Sequence, residues 1–113
     1  MAEKPLKVAI IGAGMIANAG HIPAWKSREQ EVEVVGVYNR QEERARKTAA
    51  RHQIPRAYGD WERMLAELEP DIVSVCTPNV SHKMFAIGAL EAGAHVLCEK
   101  PVAASYADAV DMF

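Results

Sequence analysis

A glycine-rich run, Gly12-Ala13-Gly14-Met15-Ile16-Ala17, has residue types and a spacing that suit anion binding, and it directly follows a β-branched stretch. Gly12 permits a tight turn, Gly14 lets an anion approach the backbone, and Ala17 lets a helix pack closely on the strands. The free N–H groups and the positive end of the helix dipole complete the anion site. The alternative is a tight turn that binds no ligand. We expect the pyrophosphate of a dinucleotide to contact this turn through Gly12, Gly14, Met15 and Ile16.

The residues after the second predicted strand bear on the choice of dinucleotide. An acidic side chain at this position normally binds the 2′-hydroxyl of the ribose, but this chain has Tyr38-Asn39-Arg40. Asn39 can hydrogen-bond a hydroxyl without repelling a phosphate. Arg40 can pair with a 2′-phosphate or stack on adenine, and its alternative role is that of a solvated residue at a helix start. We therefore expect NADP or NAD as the cofactor, with a preference for NADP.

Two further polar clusters follow buried strands, at residues 77–82 (Thr-Pro-Asn-Val-Ser-His) and 99–101 (Glu-Lys-Pro). A lysine at the rim of a nicotinamide pocket can bind a substrate hydroxyl and handle its proton during hydride transfer. We therefore single out Lys100 as the candidate catalytic residue, against the alternative that Glu99 and Lys100 form an ordinary exposed ion pair. For His82 the sequence favours a capping or packing role over catalysis.

The predicted elements alternate between strands and helices along the whole chain. Apolar and β-branched runs predict strands at residues 7–11, 32–38, 56–58, 72–76 and 95–98. Helical patterns predict helices from about residue 15, at 41–52, 61–68 and 81–92, and from Ser105 onward, with Pro23 dividing the first into two short pieces. Asp60 is a suitable N-cap, and Gly93 a suitable left-handed residue at a helix end. This alternation predicts an α/β fold, a doubly wound parallel sheet with strand order 3-2-1-4-5.

The bulk composition excludes several classes of function. The 113 residues carry a formal net charge of −2, which gives no reason to expect a nucleic-acid partner. Cys76 and Cys98 lack C-x-x-C spacing, so we expect no metal site and interpret both as reduced thiols. The first apolar run is too short for a signal peptide or a membrane span, so we expect a cytoplasmic protein with no membrane partner.

Three motifs together resemble the Gfo/Idh/MocA oxidoreductases: residues 7–14 (Lys-Val-Ala-Ile-Ile-Gly-Ala-Gly), Thr77-Pro78-Asn79-x-x-His82, and Glu99-Lys100-Pro101. The resemblance implies a Rossmann domain for NAD or NADP, and an activity on hydroxyl and keto groups of sugars, cyclitols and related molecules. It implies that Gly12, Gly14 and Ala17 form the pyrophosphate turn. It places Thr77, Pro78 and Asn79 along the cofactor, with His82 supporting them. Glu99 and Lys100 would lie by the nicotinamide ribose, Lys100 would reach the substrate, and Pro101 would fix the turn.

This chain departs from the family pattern in two ways. Asn39 stands where the family often has an aspartate. Family members continue into a sixth strand and a substrate domain, whereas this chain stops at Phe113 within a predicted helix. We therefore expect residues 1–113 to be a dinucleotide-binding domain truncated in its last helix, which binds cofactor without turning over by itself. The oligomeric state is open, with a homo-oligomer among the alternatives. A non-catalytic dinucleotide-sensing module and an interaction scaffold without a ligand are the alternative functions.

Overall fold

Five parallel strands form one sheet in the computed structural model, which describes residues 4–78, 81–99 and 105–112. The strands are β1 (Leu6–Ile11), β2 (Val32–Tyr38), β3 (Arg56–Tyr58), β4 (Ile72–Val75) and β5 (His95–Cys98). Their order in space is β3-β2-β1-β4-β5, which confirms the predicted doubly wound sheet. Three of the predicted site residues, Asn79, Lys100 and Pro101, lie outside the described residues.

The helices alternate with the strands as predicted. They are α1 (Ile22–Lys26), α2 (Glu42–His52), α3 (Trp61–Leu68), α4 (His82–Glu91) and α5 (Tyr106–Met112), and a π-helical turn (Ala17–His21) directly precedes α1. Some observed ends differ from the predicted ones by a single residue, at the start of β1, α2 and α4 and at the end of β4 and α4.

The predicted division near Pro23 takes the form of a change in hydrogen bonding within one continuous helical run. The Ile22 N–H donates to the carbonyl of Ala17, five residues earlier, and Pro23 follows within the first turn of α1. Proline is tolerated in a first turn because it brings no N–H group that needs an acceptor there. The π-helical turn ends one residue before α1 begins, and the helical run continues through Pro23.

The apolar core is divided by the sheet into two halves. Alternate residues of β1 face opposite sides, as the pleat of a strand requires. Val8 and Ile10 belong to the half that α1 and α2 cover, and Ala9 and Ile11 belong to the half that α3 and α4 cover. All four of these side chains are fully buried. Their burial on both faces explains why β1 is an unbroken apolar run rather than an alternating one.

Two helix ends form as their residue types predict. The Asp60 carboxylate accepts a hydrogen bond from the N–H of Arg63 at 3.1 Å and so caps the start of α3. Gly93 follows α4 with a φ of +91°, a conformation that side chains with a Cβ rarely adopt. These local signals define where α3 begins and where the chain turns into β5.

Gly88 of α4 lies directly against the indole of Trp61 on α3. A Cβ at this position would lie 2.5 Å from Cζ3 and 2.6 Å from Cη2 of Trp61. The indole is itself packed edge-on against Phe85, with ring centroids 5.2 Å apart. A larger residue at position 88 therefore forces a rigid ring to move.

We predict that Gly88→Ala lowers the free energy of unfolding by about 1–3 kcal/mol, although alanine is the better helix former. Urea denaturation followed by circular dichroism measures the change. Gly20→Ala is the matched control, because its Cβ would make only an ordinary contact of 3.6 Å with Ile16. Equal stability of the Gly88→Ala variant and the wild-type chain would contradict the tight α3–α4 packing.

Candidate dinucleotide-binding site

The carboxyl ends of the strands form one level edge of the sheet. The last residues of the strands are register partners across the sheet, in the spatial order Tyr58, Tyr38, Ile11, Val75 and Cys98. The residues that follow each strand therefore emerge side by side along this edge. The predicted site residues Gly12, Asn39 and Glu99 each directly follow the last residue of a strand. Strand order reverses between β1 and β4, which is where ligands bind in doubly wound sheets.

Gly12 is confined on two sides at this reversal point. Its N–H donates to the carbonyl of Tyr38 at 2.7 Å, which ties the turn to the end of β2. Its φ is +105°, and an added Cβ would lie 3.0 Å from the carbonyl carbon and oxygen of Cys76. Only glycine fits both the backbone conformation and the close approach to the chain leaving β4.

Gly14 has open space around it, in contrast to the confined Gly12. A Cβ at Gly14 would meet no atom within 4 Å, and the residue is exposed. The neighbouring side chains are also accessible, Met15 being 85% and Ile16 46% exposed. Among the described residues, no acceptor bonds the N–H groups of these three residues. This open, donor-rich start of a helical run fits a phosphate group.

Asn39 contacts the glycine turn in this structure. Its Oδ1 accepts a hydrogen bond from the N–H of Ala13 at 3.1 Å, and its Nδ2 donates to the carbonyl of Gln41 at 3.2 Å. The side chain therefore joins the end of β2 to the turn after β1. The contact with a ribose hydroxyl that the sequence suggested stays a prediction.

Asn18, which the sequence analysis did not single out, positions the glycine turn. Its Nδ2 donates to the carbonyls of Ala13 at 3.1 Å and Gly14 at 2.9 Å. Its Oδ1 accepts from the Nε2–H of His52 at 3.0 Å, on α2. Burial lowers the pKa of His52, and the nearby charges of Arg51 and Lys26 lower that pKa further. The imidazole is thereby favoured in its neutral form, and the acceptor Oδ1 of Asn18 favours the tautomer that carries its proton on Nε2.

A cationic face of α2 shares a cavity with the glycine turn. The cavity has a volume of about 540 Å³ and is lined by Gly14, Met15 and Asn18 on one side and by Arg44, Lys47 and Arg51 on the other. The spacing of three and four residues places the three cations on one side of the helix. None of them has an ion-pair partner among the described residues. This spacing is visible in the sequence, but only the fold places it opposite Gly14.

Arg40 does not line the cavity beside the glycine turn. It lines a different cavity, of about 770 Å³, together with Arg46, Arg56 and Arg63. This cavity also contains the carboxylates of Asp60 and Glu67, and Arg46, Arg56 and Arg63 form ion pairs with glutamates. Arg44, and not Arg40, lines the cavity beside the glycine turn; the contact of Arg40 with a 2′-phosphate or adenine stays a prediction.

The chain leaving β4 is held by its own polar residues. His82 is 1% exposed, and its Nε2–H donates to the carbonyl of Thr77 at 2.6 Å. The Ser81 hydroxyl lies 2.9 Å from the Thr77 hydroxyl oxygen and donates to the carbonyl of Pro78 at 2.8 Å. These bonds fit the packing role that the sequence favoured for His82. Thr77 remains partly exposed and Pro78 exposed at the edge of the site.

At the end of β5, Glu99 is held through both its backbone and its side chain. Its N–H donates to the carbonyl of Val75 at 3.0 Å. Its Oε2 lies 2.6 Å from Nε2 of His21, which belongs to the π-helical turn after the glycine run. His21 was missed by sequence reasoning, because 78 residues separate it from Glu99 along the chain.

The cysteines Cys76 and Cys98 form no disulfide. Both are free, and burial raises the pKa of the Cys76 thiol to about 12. Over residues 4–78, 81–99 and 105–112, no three His, Cys, Asp or Glu side chains are placed to hold a metal ion. Over the same ranges, no helix has both the length and the apolar character needed to cross a bilayer.

The contrast between the two glycines gives a prediction. Gly12→Ala is expected to lower the free energy of unfolding by about 1–3 kcal/mol, because alanine is strained at this φ and contacts the Cys76 backbone. Gly14→Ala is expected to leave stability within about 0.5 kcal/mol but to weaken the binding of ADP, whose pyrophosphate needs that space. Thermal melts and calorimetry measure the two effects. Unchanged ADP affinity in Gly14→Ala would contradict the placement of the pyrophosphate.

Comparison with known proteins agrees with this geometry. The family GFO_IDH_MocA, described as the oxidoreductase family with an NAD-binding Rossmann fold, matches residues 6–113. Among curated proteins, D-glucoside 3-dehydrogenase of Escherichia coli K12 is 39% identical over 112 residues, which are 99% of this chain and 32% of that protein. The chain thus spans about a third of the length of this relative.

Two solved structures of similar fold contain nicotinamide cofactors. WlbA dehydrogenase of Bordetella pertussis, in complex with NADH and UDP-GlcNAcA, has a TM-score of 0.90 at 26% identity, over 99% of this chain and 33% of that one. KijD10, a 3-ketoreductase of Actinomadura kijaniata in complex with NADP and TDP-benzene, has a TM-score of 0.87 at 30% identity, over 97% of this chain and 33% of that one. With its fold, its glycine turn and its sequence in agreement, the chain belongs to the Gfo/Idh/MocA oxidoreductase family and is its NAD-binding Rossmann unit.

Proposed function

We propose that residues 1–113 form a dinucleotide-binding domain whose cofactor is NADP in preference to NAD. The observation that carries this proposal is the open flank of Gly14, which faces three cationic side chains across one cavity. The bridging pyrophosphate fits the start of the helical run, where the N–H groups lack acceptors. A third phosphate fits the cations of α2, since a guanidinium can form two parallel hydrogen bonds with it.

The neutral side chain at position 39 supports the same preference. A carboxylate there would bind the ribose 2′-hydroxyl and repel a 2′-phosphate, whereas an amide does not repel it. The partial exposure of Asn39 leaves it accessible beside the turn. Among the relatives, WlbA is described with NADH and KijD10 with NADP. The family alone therefore does not decide the cofactor, and the preference rests on Asn39 and the α2 cations.

We further propose that the complete enzyme transfers a hydride between the cofactor and a hydroxyl or keto group of a sugar, cyclitol or related molecule. The relatives are described with a D-glucoside, with UDP-GlcNAcA and with a 3-ketoreductase activity. A bound nicotinamide ring supplies the hydride acceptor or donor. The proposed role of Lys100, which follows Glu99 at the end of β5, is to bind the substrate oxygen and take or give its proton.

Turnover requires groups that bind the substrate as well as the cofactor. This chain covers 32% of D-glucoside 3-dehydrogenase and about the same share of the two solved relatives. We therefore propose cofactor binding, without substrate turnover, as the activity of these 113 residues alone. The alternative, a sensing module, differs only in the complete protein, which would bind the dinucleotide without oxidising a sugar.

The first test removes one cation beside the glycine turn. We predict that Arg44→Ala weakens NADP binding by about tenfold and changes NAD binding by less than about twofold, because only NADP carries the third phosphate. Isothermal titration calorimetry on the 113-residue chain measures both ligands. Arg28→Ala is the charge-matched control, because Arg28 is paired with Glu31 and lies on an exposed turn. Equal losses for NADP and NAD would contradict the third-phosphate site, and no binding of either at millimolar concentration would contradict the proposed function.

The second test changes the charge at position 39 and keeps the hydrogen bond to the turn. Asn39→Asp retains an oxygen that can accept from the N–H of Ala13. The variant loses the donation from Nδ2 to the Gln41 carbonyl, so we expect a slightly lower melting temperature in a chain that still folds. We predict that its affinity ratio for NADP over NAD falls by at least about tenfold, since two negative groups then repel. A ratio unchanged from wild type would show that position 39 does not select the cofactor.

A further inference from the structure

His21 is a buried side chain whose hydrogen bonding is incomplete. It is the last residue of the π-helical turn, and its side chain is 9% exposed. Nε2 lies 2.6 Å from the Glu99 carboxylate, while Nδ1 is buried and has no hydrogen-bond partner among the described residues. One ring nitrogen thus makes a short contact with a carboxylate, and the other is left unsatisfied.

The contact with Glu99 determines how the ring is oriented. An ionised carboxylate can only accept hydrogen bonds, so Nε2 carries the proton in this pair. Nδ1 is then either a bare acceptor or a second N–H, and in both states a buried polar atom lacks a partner, which is unfavourable. The hydrogen bond to Glu99 involves a charged acceptor, and such bonds are about twice as strong as bonds between neutral groups. The ring position therefore follows from Glu99 rather than from the satisfaction of both nitrogens.

The His21–Glu99 pair joins two separate parts of the carboxyl edge of the sheet. His21 lies on the helical run that follows β1, and Glu99 follows β5, with β4 between these strands. In a doubly wound sheet the pyrophosphate lies at the turn after β1, and the two nucleosides extend to either side of it. Asn39 and Arg44 lie on the β2 side, so the adenosine half belongs there. Glu99 lies on the opposite side, that of the nicotinamide riboside.

We propose that His21 is a positioning residue for the nicotinamide half of the cofactor. It fixes the Glu99 carboxylate at the end of β5, so that the nicotinamide riboside meets an acceptor that is already oriented. This inference rests on the proposed dinucleotide function. A merely structural ion pair would instead support the whole edge, including the glycine turn that precedes His21 in the same helical run.

Two amide variants of His21 distinguish these roles. In His21→Gln the amide nitrogen reaches close to the position of Nε2 and can still donate to Glu99. In His21→Asn the amide reaches only the position of Nδ1, so the contact is lost. The two ligands are NADP and 2′-phosphoadenosine 5′-diphosphate, a fragment of NADP that keeps both bridging phosphates but lacks nicotinamide and its ribose. Calorimetry on the 113-residue chain measures the four affinities, with melting curves to show that each variant folds.

We predict that His21→Asn weakens NADP binding by about tenfold but weakens the fragment by less than about twofold, and that His21→Gln restores most of the NADP affinity. In the Glu99→Gln background, His21→Asn is expected to add little further loss, because it acts through Glu99. Equal losses for both ligands, or no loss for either, would overturn the inference while leaving the proposed function intact. A wild-type chain that binds neither ligand would instead contradict the proposed function.

Discussion

The close approach of Gly12 to the backbone of Cys76 is the constraint on which the binding edge depends. The two neighbouring strands β1 and β4 end level with each other, and strand order reverses between them. A left-handed residue without a side chain lets the first turn pass within contact distance of the second. The N–H bond from Gly12 to Tyr38 then fixes the turn to β2 on its other side.

The polar side chains near the glycine turn form hydrogen bonds to other groups of the chain in this structure. Asn39 holds the N–H of Ala13, and Asn18 holds the carbonyls of Ala13 and Gly14 while it accepts from His52. With these groups satisfied, the exposed N–H groups that follow are oriented before a ligand arrives. Such preorganisation strengthens binding, because less conformational freedom is lost on association.

The strands, the helices and the glycine turn were predictable because their signals are local. The β-branched run before Gly12, the carboxylate of Asp60 and the glycine at position 93 each act on residues within a few positions of themselves. The composition was less informative about the site. A net charge of −2 for the whole chain does not reveal that Arg44, Lys47 and Arg51 face one cavity.

The contacts that sequence reasoning missed join distant parts of the chain. His21 meets Glu99 across 78 residues, and Asn18 meets His52 across 34. Nothing in the spacing of these residues distinguishes them from solvent-exposed polar groups on a helix. Only the strand order, which brings the end of β5 and the start of α1 to the same edge, makes the first pair possible. Arg40 precedes α2 and lines the other cavity, whereas Arg44 belongs to α2 and lines the cavity beside the glycine turn, and residue type alone does not distinguish the two.

The π-helical turn connects the two halves of this site. It begins at Ala17, which is fully buried against the sheet, and ends at His21. Its wider hydrogen bonding, from the Ile22 N–H to the Ala17 carbonyl, advances each side chain less far around the helix than a regular turn does. Asn18 and His21 thereby reach two different parts of the edge from one short segment: Asn18 holds the glycine turn after β1, and His21 contacts Glu99 after β5. A regular α-helical turn would rotate the residues after it relative to Ala17, so this local irregularity affects whether His21 faces Glu99 while Asn18 faces the glycine turn.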